Sequence, residues 1–393
     1  MVYAGSHATS FEQASADLKE EAELDVSAQR IMRATKRIGR ERVDERDAEV
    51  AEWEKLSLPE QRRSPREQVP QVACVEPDGG RIQIRERNAE EPPEEVGRKG
   101  RFWRETKVGC LLSMTSQTSP SDPCPTIPEI FVEPRRMGQI SREIKGFSAV
   151  GEVTARGESS ESPAPKKRPS QPEVLVRSVV ATREKVEAFG KQLAAAAWRR
   201  GFMAAERKAF VGDGSETNWS VWRRHFSHFT PIVDFIHALC YVFAGAMAGR
   251  AMSEAWPVYC QWAQWLWRGQ VELVIAALRE RQKILGSAEA NDPEESPRCK
   301  VAEALCYLEN QQSRMRYDEY RRQGLPITSS HIESTIKQIN RRVKGSEKFW
   351  SGGGAEALLQ LAADYLSDTQ PLATFWRERL NRATGQRHYQ TAG

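Results

Sequence analysis

The sequence predicts an α/β fold, and three observations carry that reading. From Gln71 to Met114 apolar and polar residues alternate at period two, as half-buried strands require. Two further short apolar runs, KAFVGDG at Lys208–Gly214 and PIVD at Pro231–Asp234, each end at an aspartate, and an amphipathic helix lies between them. Between His237 and about Gln323 only helical spacing is found.

The 393 residues suffice for one or two domains with a sizeable core, and 39% hydrophobic residues exclude a wholly disordered chain. Seven scattered cysteines (74, 110, 124, 240, 260, 299 and 306) form no C-x-x-C pair, which speaks against a disulfide framework or a thiolate zinc site and for reduced thiols in a cytosol. His237 and Cys240 have H-x-x-C spacing but no second pair. The amino terminus lacks a basic segment followed by an apolar one, so a cytoplasmic protein is expected. The most apolar stretch, Phe229–Gly249, contains Asp234 and His237 and reads as buried core, not as a membrane span. A net charge of +4 on 58 basic and 54 acidic residues says little until its distribution is considered.

That distribution is uneven. Glu12–Asp25 holds six acidic residues and only Lys19, whereas Val26–Arg42 holds six basic residues and only Glu41. Two helices in a helix-turn-helix layout are expected, the second capped by Asp25 or Ser27 and carrying Ile31, Ala34 and Ile38 at helical spacing. Arg30, Arg33, Arg37 and Arg40 then share one face, where they meet DNA phosphates and base edges or form an ordinary solvated surface. From Gln71 a strand, a turn at Gly79–Gly80 and a second strand are expected, with a third at Glu105–Met114. Residues 115–172, rich in Pro, Ser and Thr, read as a flexible loop, and a long helix is expected over about Val174–Arg200. After the helical stretch with Trp256, Trp262, Trp265 and Trp267, where core packing is the favoured role of the rings, Ile332, Ile336, Ile339 and Val343 mark an amphipathic helix beginning near Thr328–Ser330.

Three carboxylates stand out by position. Asp78 and Asp213 end apolar strands, and Glu333 lies in the first turn of a helix. Such groups can converge in space and are costly together unless cations neutralise them. Each also has an ordinary reading: Asp78 starts a turn, Asp213 caps a helix, and Glu333 pairs with Lys337.

The segments PDGGRIQIR, FWRETKVG, FVGDGSETNW, IVDFIHA, PITSSHIESTIKQINRRVKGSEKFWS and LATFWRERL, in that order between about residues 11 and 380, resemble transposases of the Kra insertion-sequence family, within the DDE transposases. The resemblance implies an RNase H-like catalytic fold whose acidic triad is Asp78, Asp213 and Glu333, holding two Mg2+ or Mn2+ ions. It implies DNA cleavage at the element's ends and strand transfer by the freed 3′-hydroxyl, with element-end and target duplexes as partners and a homo-oligomer assembled on DNA at the nucleoid. Asp234 and His237 look like the Asp-x-x-His motif of Mutator-like relatives and are assigned to support of the site, against the ordinary reading of a buried core pair. Lys337, Arg341 and Arg342, followed by Lys344 and Lys348, are expected to contact phosphates from the helix of Glu333, or else to form a solvated charge ladder. Two departures from the pattern are Pro77, where a strand residue is usual, and Glu76, a competing carboxylate on the same strand face.

The organisation expected is a disordered tail (1–10), a helix-turn-helix-like segment (11–70), the first part of an RNase H-like domain (71–237), an all-helical insertion (238–325) and the rest of the catalytic domain (326–393). Two other functions compete: a catalytically inactive transposase-derived protein that binds DNA as a repressor or architectural factor, and a metal-dependent nuclease outside transposition.

Overall fold

The computed structural model describes residues 1–85, 102–146 and 171–382. Its centre is a mixed open sheet of order β3-β2-β1-β4-β5. The strands are β1 (Val72–Ile84), β2 (Trp103–Thr115), β3 (Glu173–Thr182), β4 (Arg207–Gly212) and β5 (Thr230–Val233), with a short β6 (Phe349–Trp350) beside the end of β1. The first three strands pair antiparallel, whereas β4 runs parallel to β1 and β5 parallel to β4. Helices cover both faces. On one, Leu193 and Phe189 of α6 (Val186–Arg199) press against Gly109 of β2. On the other, Thr335 of α13 (Ser330–Val343) accepts a hydrogen bond from the Cys110 thiol.

Before the sheet come α1 (Val2–His7), α2 (Phe11–Ala22), α3 (Ala28–Glu54) and α4 (Leu58–Arg62), so the stretch expected as a disordered tail is helical, held where the Arg342 guanidinium donates to the Gly5 carbonyl. Ser27 caps α3, its hydroxyl accepting from the Arg30 N–H. Phe11, Ile31 and Trp53 belong to the same buried cluster as the sheet residues. Helix α3 lies against α14 (Gly352–Tyr365), where Arg42 pairs with Asp364 and Arg46 with Glu356. All four side chains are under 10% exposed, so removing one partner strands a buried charge at a cost of about 3–5 kcal/mol. Helix α15 (Pro371–Arg382) closes the described chain.

Three further expectations are corrected. The residues from Val72 to Ile84 form one continuous strand with no turn at Gly79–Gly80. Gly79 and Gly80 stay in register with Lys107 and Thr106 of β2, and a Cβ on either would meet Thr106 atoms at 3.2 Å. The glycines serve close strand approach, not chain reversal. The long helix expected from Val174 begins only at Val186, because β-branched VLVRSVVAT pairs with β2 as an edge strand. The loop expected over 115–172 contains α5 (Pro134–Lys145), capped by Glu133, and its first part is pinned to the helical region. Asp122 pairs with Arg321, and the Ile127 N–H donates to Gln264. Residues 147–170 lie outside the described residues.

Between β4 and β5 lies α7 (Glu216–His225). After β5 the chain is helical until β6: α8 (Phe235–Met247), α9 (Met252–Trp267), α10 (Val271–Leu285), α11 (Pro297–Gln311) and α12 (Tyr317–Arg322) precede α13. The most apolar stretch of the sequence is β5 with α8, and α8 is buried on nearly every face. Among the described residues no helix is long and apolar enough to cross a membrane. Trp262 and Trp267 are buried, and the Trp267 ring packs on Phe235 and Phe131 with Arg321 over it at 4.0 Å. All seven cysteines are free.

Candidate active site

β1 outruns β4. Their pairing ends at Val75 and Phe210, while β6 joins the same edge of β1 only at Gln83. Among the described residues that edge of β1 has no strand neighbour between these points, and Asp78 lies there. Pro77 is therefore tolerated, since β4 no longer asks for its missing N–H. Asp78 Oδ1 accepts from the Gly79 N–H at 2.6 Å.

Asp213 follows the last residue of β4, three residues past Phe210 as Asp78 is three past Val75. The two aspartates thus stand at one level of adjacent parallel strands, Asp213 just past the end of β4 and Asp78 within β1. Asn218 in α7 spans them: its side-chain amide donates to the Pro77 carbonyl at 3.1 Å and to Asp213 Oδ1 at 2.9 Å. Asp213 Oδ1 also accepts from the Ser215 N–H at 2.9 Å.

Glu333 arrives on α13, whose start is tied down twice. The Ile332 N–H donates to the Glu76 carboxylate at 3.0 Å. Just before the helix, the Ser329 N–H and hydroxyl both donate to Asp234. Ile332, Ile339 and Val343 are buried beneath, each contributing about 1.5–3 kcal/mol. Asp234, fully buried at the start of α8, uses its other oxygen for the His237 N–H at 2.8 Å and the His237 Nδ1 at 3.2 Å.

The electrostatics couple these groups. Burial first, then the neighbouring Asp213 and Glu333 charges, push Asp78 up to about 6 against the pull of the Gly79 N–H and of His237. Glu333 is raised by burial and by Asp234, with His237 and Lys337 opposing. Burial raises Glu76 to about 8 despite the Ile332 N–H, and Asp234 and Glu333 add to the rise. Asp234 is the exception: burial would raise it, yet the His237 and Ser329 hydrogen bonds hold it below the usual carboxylate value.

Asp78, Asp213, Glu333, Asp234 and His237 are therefore electrostatic neighbours, with Asp78 in the middle of β1 and Asp213 and Asp234 just past the ends of β4 and β5. Among the described residues, no three His, Cys, Asp or Glu side chains are gathered closely enough to hold a metal ion as they stand. The expected triad of Asp78, Asp213 and Glu333 nevertheless fits a hard divalent cation, because those three offer carboxylate oxygens only. Glu333 also keeps one carboxylate oxygen, Oε1, buried without a hydrogen-bond partner among the described residues.

The basic residues divide. Arg30, Arg33, Arg37 and Arg40 are exposed along α3, and Lys337 and Arg341 are exposed on α13. Arg342 differs from its neighbours: it is 4% exposed, donates to the carbonyls of Gly5 and Thr9, and lies over the Phe11 and Trp350 rings. It joins the amino-terminal helices to α13 and has no face left for a phosphate. Lys36 feels both Arg40 and Arg342, so the basic stripe of α3 adjoins the end of α13.

Sequence reasoning passed over Asn218, read Ser329 only as part of the start signal of the helix where it is also a partner of Asp234, and treated Glu76 as a competitor where it is a tether for α13. No protein-family model matches the chain, and no curated protein matches it.

Proposed function

We propose that the protein is a DDE-type transposase that cleaves DNA at the ends of an insertion sequence and joins the freed 3′-end to target DNA. The observation that carries this reading is the placement of Asp78 and Asp213 at one level on adjacent parallel strands, with Glu333 delivered beside them on a helix tethered to β1. The strand order β3-β2-β1-β4-β5, antiparallel then parallel, is the order an RNase H-like fold uses, and the helical run after β5 suits the insertion of such enzymes.

Asp78, Asp213 and Glu333 would hold two magnesium or manganese ions. When bound, these ions supply Lewis-acid stabilisation of the phosphodiester and a more acidic water or 3′-hydroxyl. The protein's own part is to orient. Asn218 and Ser215 fix the Asp213 carboxylate, Glu76 and Asp234 fix the helix of Glu333, and Asp234 aims His237 beside Asp78 and Glu333. Lys337 and Arg341, on the exposed side of α13, would steady the phosphate backbone, and the arginines of α3, read as the second helix of a helix-turn-helix, would grip duplex DNA further off.

A second reading, a catalytically inactive DNA-binding or architectural relative, is favoured by the carboxylates being coupled but not gathered among the described residues. One experiment separates the two. Plasmid carrying the terminal repeats that flank the gene is incubated with the protein in Mg2+ or Mn2+, while binding to the same DNA is followed by gel shift. Strand cleavage by the parent, lost in Glu333→Gln with binding kept, supports the transposase. Binding without cleavage in either metal supports the inactive relative.

A further inference from the structure

We propose that α11 is a positioning element for Asp213, and that the helical insertion sets this carboxylate through Tyr307 and Gln311. The catalytic consequence rests on the reading of Asp213 as a cation ligand, whereas the structural claim rests on geometry alone.

The chain after β4 turns at Gly214, whose φ of +96° is open to glycine and strained for other residues. A Cβ there would also stand 2.7 Å from the Tyr307 ring. The two carbonyls of this turn face α11. The Tyr307 hydroxyl donates to the Asp213 carbonyl at 2.8 Å, and the Gln311 amide donates to the Gly214 carbonyl at 3.0 Å. Neither donor is free to wander. The Tyr307 ring stacks on Tyr241 of α8 with centroids 3.8 Å apart and planes at 20°. Gln311 Oε1 accepts from the Trp219 indole at 3.0 Å and from Arg314 at 2.7 Å, which fixes the way its amide points.

Asp213 is thereby held from two sides. α11 takes its backbone carbonyl, while α7 takes its carboxylate through Asn218 and the Ser215 N–H. A residue on a short connection otherwise has backbone freedom, and a ligand displaced by a fraction of an ångström loses its catalytic geometry. The insertion removes that freedom from a distance of 94 residues along the chain. Neither hydrogen bond from α11 to the turn reaches the carboxylate itself, so Tyr307 and Gln311 are positioning residues.

The test uses Tyr307→Phe in the full chain, which keeps the ring stack and removes one hydroxyl. Glu309→Gln on the same helix, an exposed partner of Arg279, is the control. Amide hydrogen exchange at Ser215 is measured without metal, Mn2+ affinity by electron paramagnetic resonance, and cleavage under single-turnover conditions. Losing one hydrogen bond should speed Ser215 exchange and weaken Mn2+ binding by about threefold to tenfold each. Cleavage by Tyr307→Phe should recover in excess Mn2+, DNA affinity should not change, and Glu309→Gln should match the parent throughout. Parent-like Ser215 exchange in Tyr307→Phe overturns the proposal, as does a uniform rise in exchange across the whole sheet, which would mark a general loss of stability. A parent that binds no Mn2+ removes the cation reading instead, and Ser215 exchange alone then decides whether α11 positions Asp213.

Discussion

Asp234 Oδ2 accepts hydrogen bonds from both the N–H of Ser329, at 2.5 Å, and its hydroxyl, at 2.7 Å. Its Oδ1 holds the N–H and ring of His237. A single buried carboxylate therefore joins the start of α8 to the residue that precedes the helix of Glu333. Moving either element requires breaking a charge-assisted bond in a place without water, so the two move together or not at all.

That sharing predicts energetic coupling. Asp234→Asn replaces an acceptor by a donor facing donors, and should destabilise the fold by about 2–3 kcal/mol. Ser329→Ala removes one hydroxyl and should cost about 1 kcal/mol. Chemical denaturation of both single variants and the double variant gives the interaction energy. It should exceed about 0.5 kcal/mol, whereas additive effects would show that the Asp234–Ser329 bond contributes nothing.

His225 predicts a pH effect away from the site. Its ring lies against Gly190 and Trp53, and its Nε2 is buried without a partner among the described residues. Burial, reinforced by Arg224 and Lys191 and only partly opposed by Glu54, lowers its pKa from 6.5 to about 4. Between those values the unfolded chain binds the proton and the folded chain does not. Stability from this group is therefore full above pH 6.5 and falls away as pH drops toward 4, to a limit of about 3 kcal/mol. His225→Phe should flatten the stability profile between pH 6.5 and 4, followed by urea denaturation. An unchanged slope would mean that His225 is no driver of acid unfolding.

Much of the fold was legible in the sequence because local pattern and final packing agree. Ile332, Ile339 and Val343 of the α13 stripe are buried and Ile336 partly so, as their spacing requires, and KAFVG and PIV became parts of β4 and β5. The failures have a common cause, namely that a partner far along the chain overrode a local signal. Gly79 and Gly80 signal a turn until β2 lies against them, and Val174–Thr182 continues a helical pattern until β2 offers it an edge. Arg342 looks like one more phosphate ligand beside Arg341, yet the 100° step between helix neighbours turns it inward under Phe11 and Trp350. Asn218 had no signal at all, since an asparagine on a helix gains meaning only when β1 places the Pro77 carbonyl next to it.

The contrast between Arg342 and the α3 stripe gives a test of where DNA binds. Replacing Arg30, Arg33 and Arg37 by Ala in the full chain should weaken binding to element-end duplex and reduce the slope of log K against log salt by up to about 2.7, at about 0.9 for each phosphate no longer neutralised. Stability should barely change, because all three side chains are exposed. Arg342→Ala should do the reverse, lowering stability by stripping the Gly5 carbonyl and the Phe11 and Trp350 rings of their guanidinium while leaving the salt slope alone. An unchanged slope in the triple variant would make the stripe a solvated surface.

Asp213→Asn separates a cation ligand from a residue that only shapes the turn before α7, because the substitution preserves nearly everything except charge. The amide oxygen can still accept from the Ser215 N–H and from Asn218, so the turn after β4 should keep its shape. Ser215 is the residue that caps α7, and asparagine holds a turn two residues on as aspartate does, so an Asp213 that only shapes this turn would tolerate the change with activity intact. A ligand would not: a neutral amide oxygen binds a divalent cation more weakly than a carboxylate, so cleavage should fail while binding of element-end DNA, which depends on distant basic residues, persists. Without metal the variant should be as stable as the parent or slightly more so, since Asp78 is relieved of a like charge that helps to raise it. The three measurements must agree. Failed cleavage together with reduced stability would mean a damaged fold, and normal cleavage would remove Asp213 from the site, leaving Asp78 and Glu333 without the partner that the parallel pairing of β1 and β4 places beside them.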